Sequence, residues 1–272
     1  MGTFKLLDAD DLDYEAFAAL QREAFAEVIE RAGSTADWMT PELYRWKYHP
    51  PAGNALIAVV YEGDDLVAAN AMFPLEIRHG GDAVRGWQSC DTATAPRGRG
   101  QGYFVGCLHT LGEALQPEEI FFGFPNHNSM RGFEKVGWTS RGLVTTWVNP
   151  LSLLGRGPTA EIQPAEGFAA EYDALADQLA SSGKVHVARS AAYLDWRYTR
   201  HPTHRYQTFA CRDEQGLAGF VVARTARAMN RDVSVVMDLW GSRPGVERRL
   251  LRRVSAWARQ QRTRTLVLLD TG

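Results

Sequence analysis

The sequence predicts a mixed α/β protein, a layered α+β sheet built twice, as two tandem modules of which the second is degenerate. Three observations carry this expectation. Helix-period and strand-period segments alternate along the chain. The stretch "NPLSLLGRGPTAEIQPAEG", residues 149–167, gathers prolines and glycines between periodic regions and marks a boundary between domains 1–150 and 151–272. The element order before that boundary is echoed, with losses, after it.

Taken in order, "TFKLL" reads as a short strand. The run from Asp8 to Gly33 places Leu12, Phe17, Leu20, Phe25 and Ile29 near one helical stripe, with acids at its start. A short helix follows Pro41 in "PELYRWKYHP". "NALIAVVYE", "DLVAANAMFPLEIR" and "AVRGWQSCDTATA" form a strand meander with Gly-Asp and Gly-Gly turns. Tyr103 to Leu115 has helical spacing, "EEIFFGF" reads as a buried strand, "NHNSMRGFEKVG" as a short helix, and "WTSRGLVTTWV" as a final strand or pair.

The echo pairs Trp46-Lys47-Tyr48-His49-Pro50 with Trp196-Arg197-Tyr198 and His201-Pro202. Each is followed by a strand, an acidic turn, and "LVAANAMF" or "LAGFVVAR". "VSVVMDLWGSRPGVERRLLRRVSAWARQQRTRTLVLLD" then repeats strand, turn, helix, strand. The sequence stops about where the fifth strand of this second module is expected, so that module lacks its last elements or borrows them.

Composition narrows the function classes. Thirty basic residues nearly balance thirty-two acidic ones in 272 residues, so no whole-molecule field draws the chain to nucleic acid or membrane, and any anion site is local. Cys90, Cys107 and Cys211 are odd in number and lack metal or redox spacing, which suits a reducing compartment. No apolar run approaches the ~20 residues of a membrane span, and the N-terminus turns acidic where a signal peptide needs an apolar run. The expectation is a soluble, cytoplasmic protein with no metal and no membrane or nucleic-acid partner.

The stretch "PRGRGQGYF", residues 96–104, is the focus for chemistry: a strand enters a glycine-rich turn and a helix leaves it. Outward N–H groups and the partial positive charge of a helix N-terminus make an anion cradle, and glycine lets a phosphate approach the backbone. Arg97 and Arg99 can add charge-assisted bonds to phosphate oxygens. An exposed basic loop with helix-capping glycines is the alternative. No Gly-Lys-Ser/Thr follows, so it is not a P-loop, and the even spacing of Gly98, Gly100 and Gly102 fails the Rossmann pattern.

With these residues in view, the sequence resembles the GNAT superfamily of coenzyme-A-dependent N-acyltransferases. Arg97, Gly100 and Gly102 match the family's Gln/Arg-x-x-Gly-x-Gly/Ala. "FPNHNSMRGFEKVGW" matches its next motif through Asn126, Ser129, Phe133, Glu134, Lys135, Gly137 and Trp138. The agreement covers about residues 3–149, and the doubled layout looks like tandem-domain acyltransferases, some acting on nucleotide-linked amino sugars. The resemblance implies that the fourth and fifth strands splay and that coenzyme A lies in the wedge. Thr92, Ala93 and Thr94 would bond the pantetheine amides. Residues 97–102 (Arg97, Gly98, Arg99, Gly100, Gln101, Gly102) and the helix start at Tyr103 would hold the pyrophosphate. Asn126, Asn128, Ser129 and Phe133 would line the thiol arm. It further implies acyl transfer from acetyl-CoA or another acyl-CoA to the primary amine of a small molecule.

One departure stands out. Many family members place a proton-donating Tyr where this chain has Phe133, and Phe cannot donate. Asp91, on the fourth strand, is the candidate substitute. Strand alternation sets it with Ser89 and Ala93, opposite Cys90 and Thr92, and a solvated or turn-capping carboxylate is the alternative reading. Tyr48 and His49 are candidates for substrate contact. A coenzyme-A-binding module without catalysis is the other function class that Phe133 leaves open.

Overall fold

The described residues form two mixed sheets of six strands each, flanked by helices. The computed structural model describes every residue except 1, 32, 34, 80, 154, 156–160, 181–184, 229, 230, 271 and 272. In chain order the elements are β1 (Thr3–Asp8), α1 (Tyr14–Arg31), α2 (Pro41–Lys47), β2 (Leu56–Glu62), β3 (Asp65–His79), β4 (Asp82–Thr94), α3 (Tyr103–Ala114), β5 (Ile120–Gly123), α4 (His127–Lys135), β6 (Thr145–Pro150), β7 (Ile162–Ala165), α5 (Glu171–Ala180), β8 (His186–Val187), α6 (Ala191–Leu194), β9 (Gln207–Asp213), β10 (Gly216–Ala228), β11 (Arg231–Gly241), α7 (Val246–Gln260) and β12 (Thr265–Asp270).

The first compact unit comprises residues 1–140 with 185–188 and 201–203. Its sheet runs β1-β2-β3-β4-β5, with β8 pairing β3. β1 to β4 are antiparallel, and β5 lies parallel to β4, which requires a crossover that α3 supplies. β2 and β3 are buried along their centres; α3 packs on both strands, and α1 packs on β3 and β4. This is why "IAVV" and "LVAANAMFPL" read as continuous apolar runs rather than alternating ones. On α3 the buried positions Tyr103, Cys107, Leu108 and Leu111 recur at helical spacing and meet Val60, Val67, Met72 and Trp87. The stripe on α1 is buried through Gln21, while Phe25 and Ile29 are only half-buried toward its C-terminal end. β5 differs from expectation: as the edge strand it leaves Ile120 and Phe121 exposed.

The second unit comprises residues 141–184, 189–200 and 204–272, with strand order β6-β12-β11-β10-β9-β7. β6, expected to close the first domain, instead pairs antiparallel with β12 over Thr145↔Asp270 to Pro150↔Thr265. The α7 crossover sets β12 parallel to β11, and its outer edge of N–H and C=O groups takes β6 as partner. Of the expected linker, Leu154 and residues 156–160 lie outside the described residues, and Ile162–Ala165 is an edge strand paired with β9. α7 buries Val246, Leu250, Val254 and Ala258, with Leu251 and Trp257 packed alongside. Its arginines are engaged locally: Arg249 with Glu161 at 3.3 Å, Arg253 with the Ile162 carbonyl at 3.2 Å, and Arg259 with the Leu151 carbonyl at 2.7 Å. Among the described residues, no helix is long and apolar enough to cross a membrane.

Candidate functional site

β4 and β5 pair only from Gly86↔Ile120 to Ser89↔Gly123. Beyond Ser89, β4 continues to Thr94 with β3 on one side and no strand on the other among the described residues. An open edge of β4 therefore runs from Cys90 to Thr94 and leads into the glycine turn.

In that turn Pro96–Gly98 form a short 3-10 turn, with Gly98 N–H donating to the Ala95 carbonyl at 2.9 Å. Gly100 (φ 82°) and Gly102 (φ 77°) take the left-handed conformation, and Gly102 caps α3. A Cβ built on either would meet no atom within 4 Å, so the turn is open on the side where an anion would approach. The N–H groups of the first turn of α3 lack intrahelical acceptors. Gly98 is different in kind: its Cβ would stand 3.2 Å from the Tyr103 ring, so it serves packing. Arg97 reaches Glu23 at 3.2 Å and Asp65 at 3.6 Å, and Arg99 donates to the Ala24 carbonyl at 3.2 Å. Both guanidinium groups are thus tethered beside the turn, and an incoming phosphate would compete with Glu23 for Arg97. Gln101 is exposed. The Tyr103 ring is buried edge-on against Phe4, and its hydroxyl donates to Glu62, which leaves its backbone N–H as the group it offers the wedge.

At α4, the Asn126 side chain accepts from the N–H groups of Asn128 (2.9 Å) and Ser129 (3.1 Å), the hydrogen bonds of an N-cap. The Ser129 hydroxyl lies 3.3 Å from the Asn126 carbonyl. Phe133 is 4% exposed, edge-on to Phe104 at 5.3 Å and 4.8 Å from the Trp138 ring centre, so it packs α4 onto α3. Gly132 permits that approach, since a Cβ there would fall 2.0 Å from the Phe104 ring.

Asp91 occupies an unusual place. It is a non-glycine residue at φ 49°, inside a bulge where β4 slips by one residue against β3, between Ala69↔Ala93 and Ala71↔Cys90. The bulge cancels the strand alternation. Asn70 bonds both Ser89 (3.2 Å) and Thr92, which puts Thr92 with Ser89, while Asp91 turns toward α1 and α2. There its carboxylate takes the Lys47 ammonium at 2.7 Å and the Tyr48 hydroxyl at 2.9 Å, and its carbonyl accepts from Gln21 at 2.8 Å. Burial first, and then the Asp91 charge, hold the Tyr48 phenol well above its usual range, so it remains a donor. Tyr48 is fully buried and faces Asp91, not a cleft. His49 has its Nδ1 on the Arg45 carbonyl (2.6 Å) and its Nε2 on Asp10 (3.1 Å).

Lys47, Gln21 and Asn70 are the members of this neighbourhood that sequence reasoning misses. Lys47 lay inside the repeated Trp-basic-Tyr triplet, and Asn70 was the lone amide in an apolar strand; both were available signals.

The second sheet repeats part of the arrangement at the same register. β11 and β12 pair as far as Val236↔Leu268, and the next slip of β11 against β10 precedes Asp238. The Tyr198 hydroxyl donates to Asp238 at 3.0 Å, as Tyr48 does to Asp91, with Arg189 (3.0 Å) in place of Lys47 and Trp240 as a further donor at 2.6 Å. The turn that follows is shorter, residues 242–245, and only Gly245 (φ 85°) remains as the cap of α7. Arg243, in that turn, is paired with Asp213.

Comparison with known proteins bears on this geometry. No curated protein sequence matches the chain. Over its whole length the chain is similar in structure to a GCN5-related N-acetyltransferase from Anabaena variabilis (TM-score 0.68, 16% identity, 98% of this chain and 66% of that one). It is also similar to a probable N-acyltransferase of unknown function from Enterococcus faecalis (TM-score 0.66, 12% identity, 99% and 65%). A GCN5-related N-acetyltransferase from Kribbella flavida matches as well (TM-score 0.64, 18% identity, 99% and 64%). The chain spans about two thirds of the length of these proteins, and at such identities the likeness is one of fold. Residues 6–140 match the family model described as "Acetyltransferase (GNAT) domain", a span that holds the wedge, the glycine turn and α4. Residues 6–140, within the first unit, are therefore similar to the acetyltransferase domains of the GNAT family.

Proposed function

We propose that this chain is an N-acyltransferase, most simply an N-acetyltransferase, moving an acyl group from acyl-CoA to a primary amine of a small molecule, with nucleotide-linked amino sugars among the candidate acceptors. The observation that carries the reading is the open strand edge Cys90–Thr94 leading into a glycine turn whose two left-handed glycines face open space. In it, the first unit supplies the donor site, and the second, which takes in β6, is a related module whose turn has lost the glycine pair. A cytoplasmic setting, rich in acyl-CoA, suits this chemistry.

In this reading the N–H groups from Gly100 to Tyr103 bind the pyrophosphate, with Arg97 and Arg99 beside them. The free edge of Thr92, Ala93 and Thr94 takes the pantetheine amides, and the α4 cap of Asn126, Asn128 and Ser129 borders the thiol arm. Bound acyl-CoA supplies an activated carbonyl and a stable leaving thiolate. The amine nitrogen bonds to the carbonyl carbon, the C–S bond breaks, and the ammonium proton leaves to solvent or to the thiolate. A β4 backbone N–H can stabilise the oxyanion. Asp91 anchors the bulge that presents this edge. Its carboxylate is already engaged by Lys47 and Tyr48, and the matching Asp238 makes the same tyrosine bond beside a turn that keeps only Gly245.

Phe133, sealed between Phe104 and Trp138, favours one second reading, a module that binds acyl-CoA without turning it over. Thiol release from acetyl-CoA, measured against a panel of amino sugars, nucleotide-linked amino sugars, polyamines and amino acids, separates the two. Amine-dependent release is expected. Calorimetric binding of coenzyme A with no release on any amine would leave only the binding module, and no binding would overturn both.

A further inference from the structure

The two sheets act as internal controls for each other. Their registers correspond on either side of the bulge, which falls one residue apart in the two sheets: Met72↔Ser89 corresponds to Ala223↔Val236, and Ala69↔Ala93 to Phe220↔Trp240. This sets Asn70 against Val221, Ser89 against Val236, and Thr92 against Leu239. The Tyr–Asp pair is kept in both sheets, so it belongs to the architecture of the module. The polar trio is not kept. In the second sheet, Val221 and Val236 lie in the apolar cluster beneath α7, and Leu239 packs against it. In the first, the same places hold an amide and two hydroxyls, with Asn70 fully buried and Ser89 7% exposed. A fold that accepts three aliphatic residues there has no need of an amide, whose burial costs free energy that its hydrogen bonds only offset.

The hydrogen bonds show what that task can be. Ser89 Oγ donates to Asn70 Oδ1 at 3.2 Å, and Asn70 Nδ2 donates to Thr92 Oγ1. With its oxygen accepting from Asn70, Thr92 must direct its own O–H elsewhere, and among the described residues no protein acceptor receives it. Thr92 is only half-buried and lies on the part of β4 that β5 leaves open. We propose that Asn70 is a positioning residue of the donor site, holding Thr92 so that its hydroxyl proton is offered to the carbonyl oxygen of the acyl group. The inference rests on the acyl-CoA reading above.

Calorimetry with coenzyme A and with its unreactive S-acetonyl thioether, which carries the carbonyl, tests it on the intact chain. Asn70→Val, which installs the residue of the second sheet, and Thr92→Val should each weaken the ketone ligand roughly tenfold and coenzyme A less than about twofold, the effect of one lost hydrogen bond. Thr92→Ser, which keeps the hydroxyl, should bind both as the wild type does. Equal losses for the two ligands, or none, would overturn the positioning role. A wild type that binds neither would sink the acyl-CoA reading itself. Should Asn70→Val fail to fold, the half-exposed, isosteric Thr92→Val still decides the question.

Discussion

Asp91 holds a backbone conformation that costs a non-glycine residue ~1–2 kcal/mol, and the chain surrounds it with three donors that make it tolerable. If it is an anchor, Asp91→Asn should lower stability in urea by ~1–3 kcal/mol, because Lys47 then loses its counter-charge in a mostly buried place. Asp238→Asn, with three partners around a carboxylate 4% exposed, should cost more, ~3–5 kcal/mol. Were Asp91 instead the proton carrier, its variant would keep its stability and lose roughly 10²–10⁴-fold in turnover. At this scale the sequence is half legible. The glycines of the turn could be read because only a left-handed backbone or a close approach demands them. The face occupied by Asp91 could not, since a bulge shifts alternation by one residue without leaving a mark in composition. The repeated triplet marks Lys47 but not its partner, which lies 44 positions away, and no periodicity links a helix end to a distant strand.

The proposed division of labour between the two halves rests on whole elements. Strand, turn and helix recur in both, but residues 95–102 become residues 242–245, Pro244 removes a backbone donor, and Arg243 is spent on Asp213. One coenzyme A per chain is therefore the expected stoichiometry in a titration, and a second equivalent site would overturn the roles given to the halves. Gly102→Val probes the turn itself. A Cβ there meets no atom within 4 Å, but a branched residue is strained at φ 77°, so a stability loss of ~1–2 kcal/mol should accompany a much larger loss of coenzyme A affinity. Gly132→Ala makes the opposite case. Its methyl would collide with Phe104, prying α4 from α3 at a cost of ~1–3 kcal/mol in thermal or urea unfolding. Helices and the meander were readable from periodicity and punctuation. β6 was not, because strand pairing is a tertiary choice: "TTWV" is equally compatible with either sheet edge, and β12 is separated from it by more than a hundred residues.

On the scale of the whole molecule, both units bury tyrosine hydroxyls, and this fixes how the protein responds to alkali. Burial pushes the phenols of Tyr14 and Tyr172 up to about 12. It raises those of Tyr44, Tyr48 and Tyr198 further, with the carboxylates of Asp91 and Asp238 adding to the effect. In the unfolded chain the same groups ionise near 10. Below about pH 10 they are protonated in both states and stability does not depend on them. Above it the unfolded chain sheds protons that the folded chain keeps, so each such phenol lowers stability by ~1.4 kcal/mol per pH unit until its folded value is reached. The first unit holds three of these groups and the second two, a combined slope that exhausts a stability of ~5–15 kcal/mol within a few pH units. Far-ultraviolet circular dichroism and near-ultraviolet phenolate absorbance, followed together from neutral pH upward, should therefore change in one shared step above pH 11 or so. Phenolate signal from all the tyrosines with the dichroism intact would mean that these hydroxyls reach water in the folded chain. The Tyr48–Asp91 and Tyr198–Asp238 clamps would then be too loose to hold their bulges.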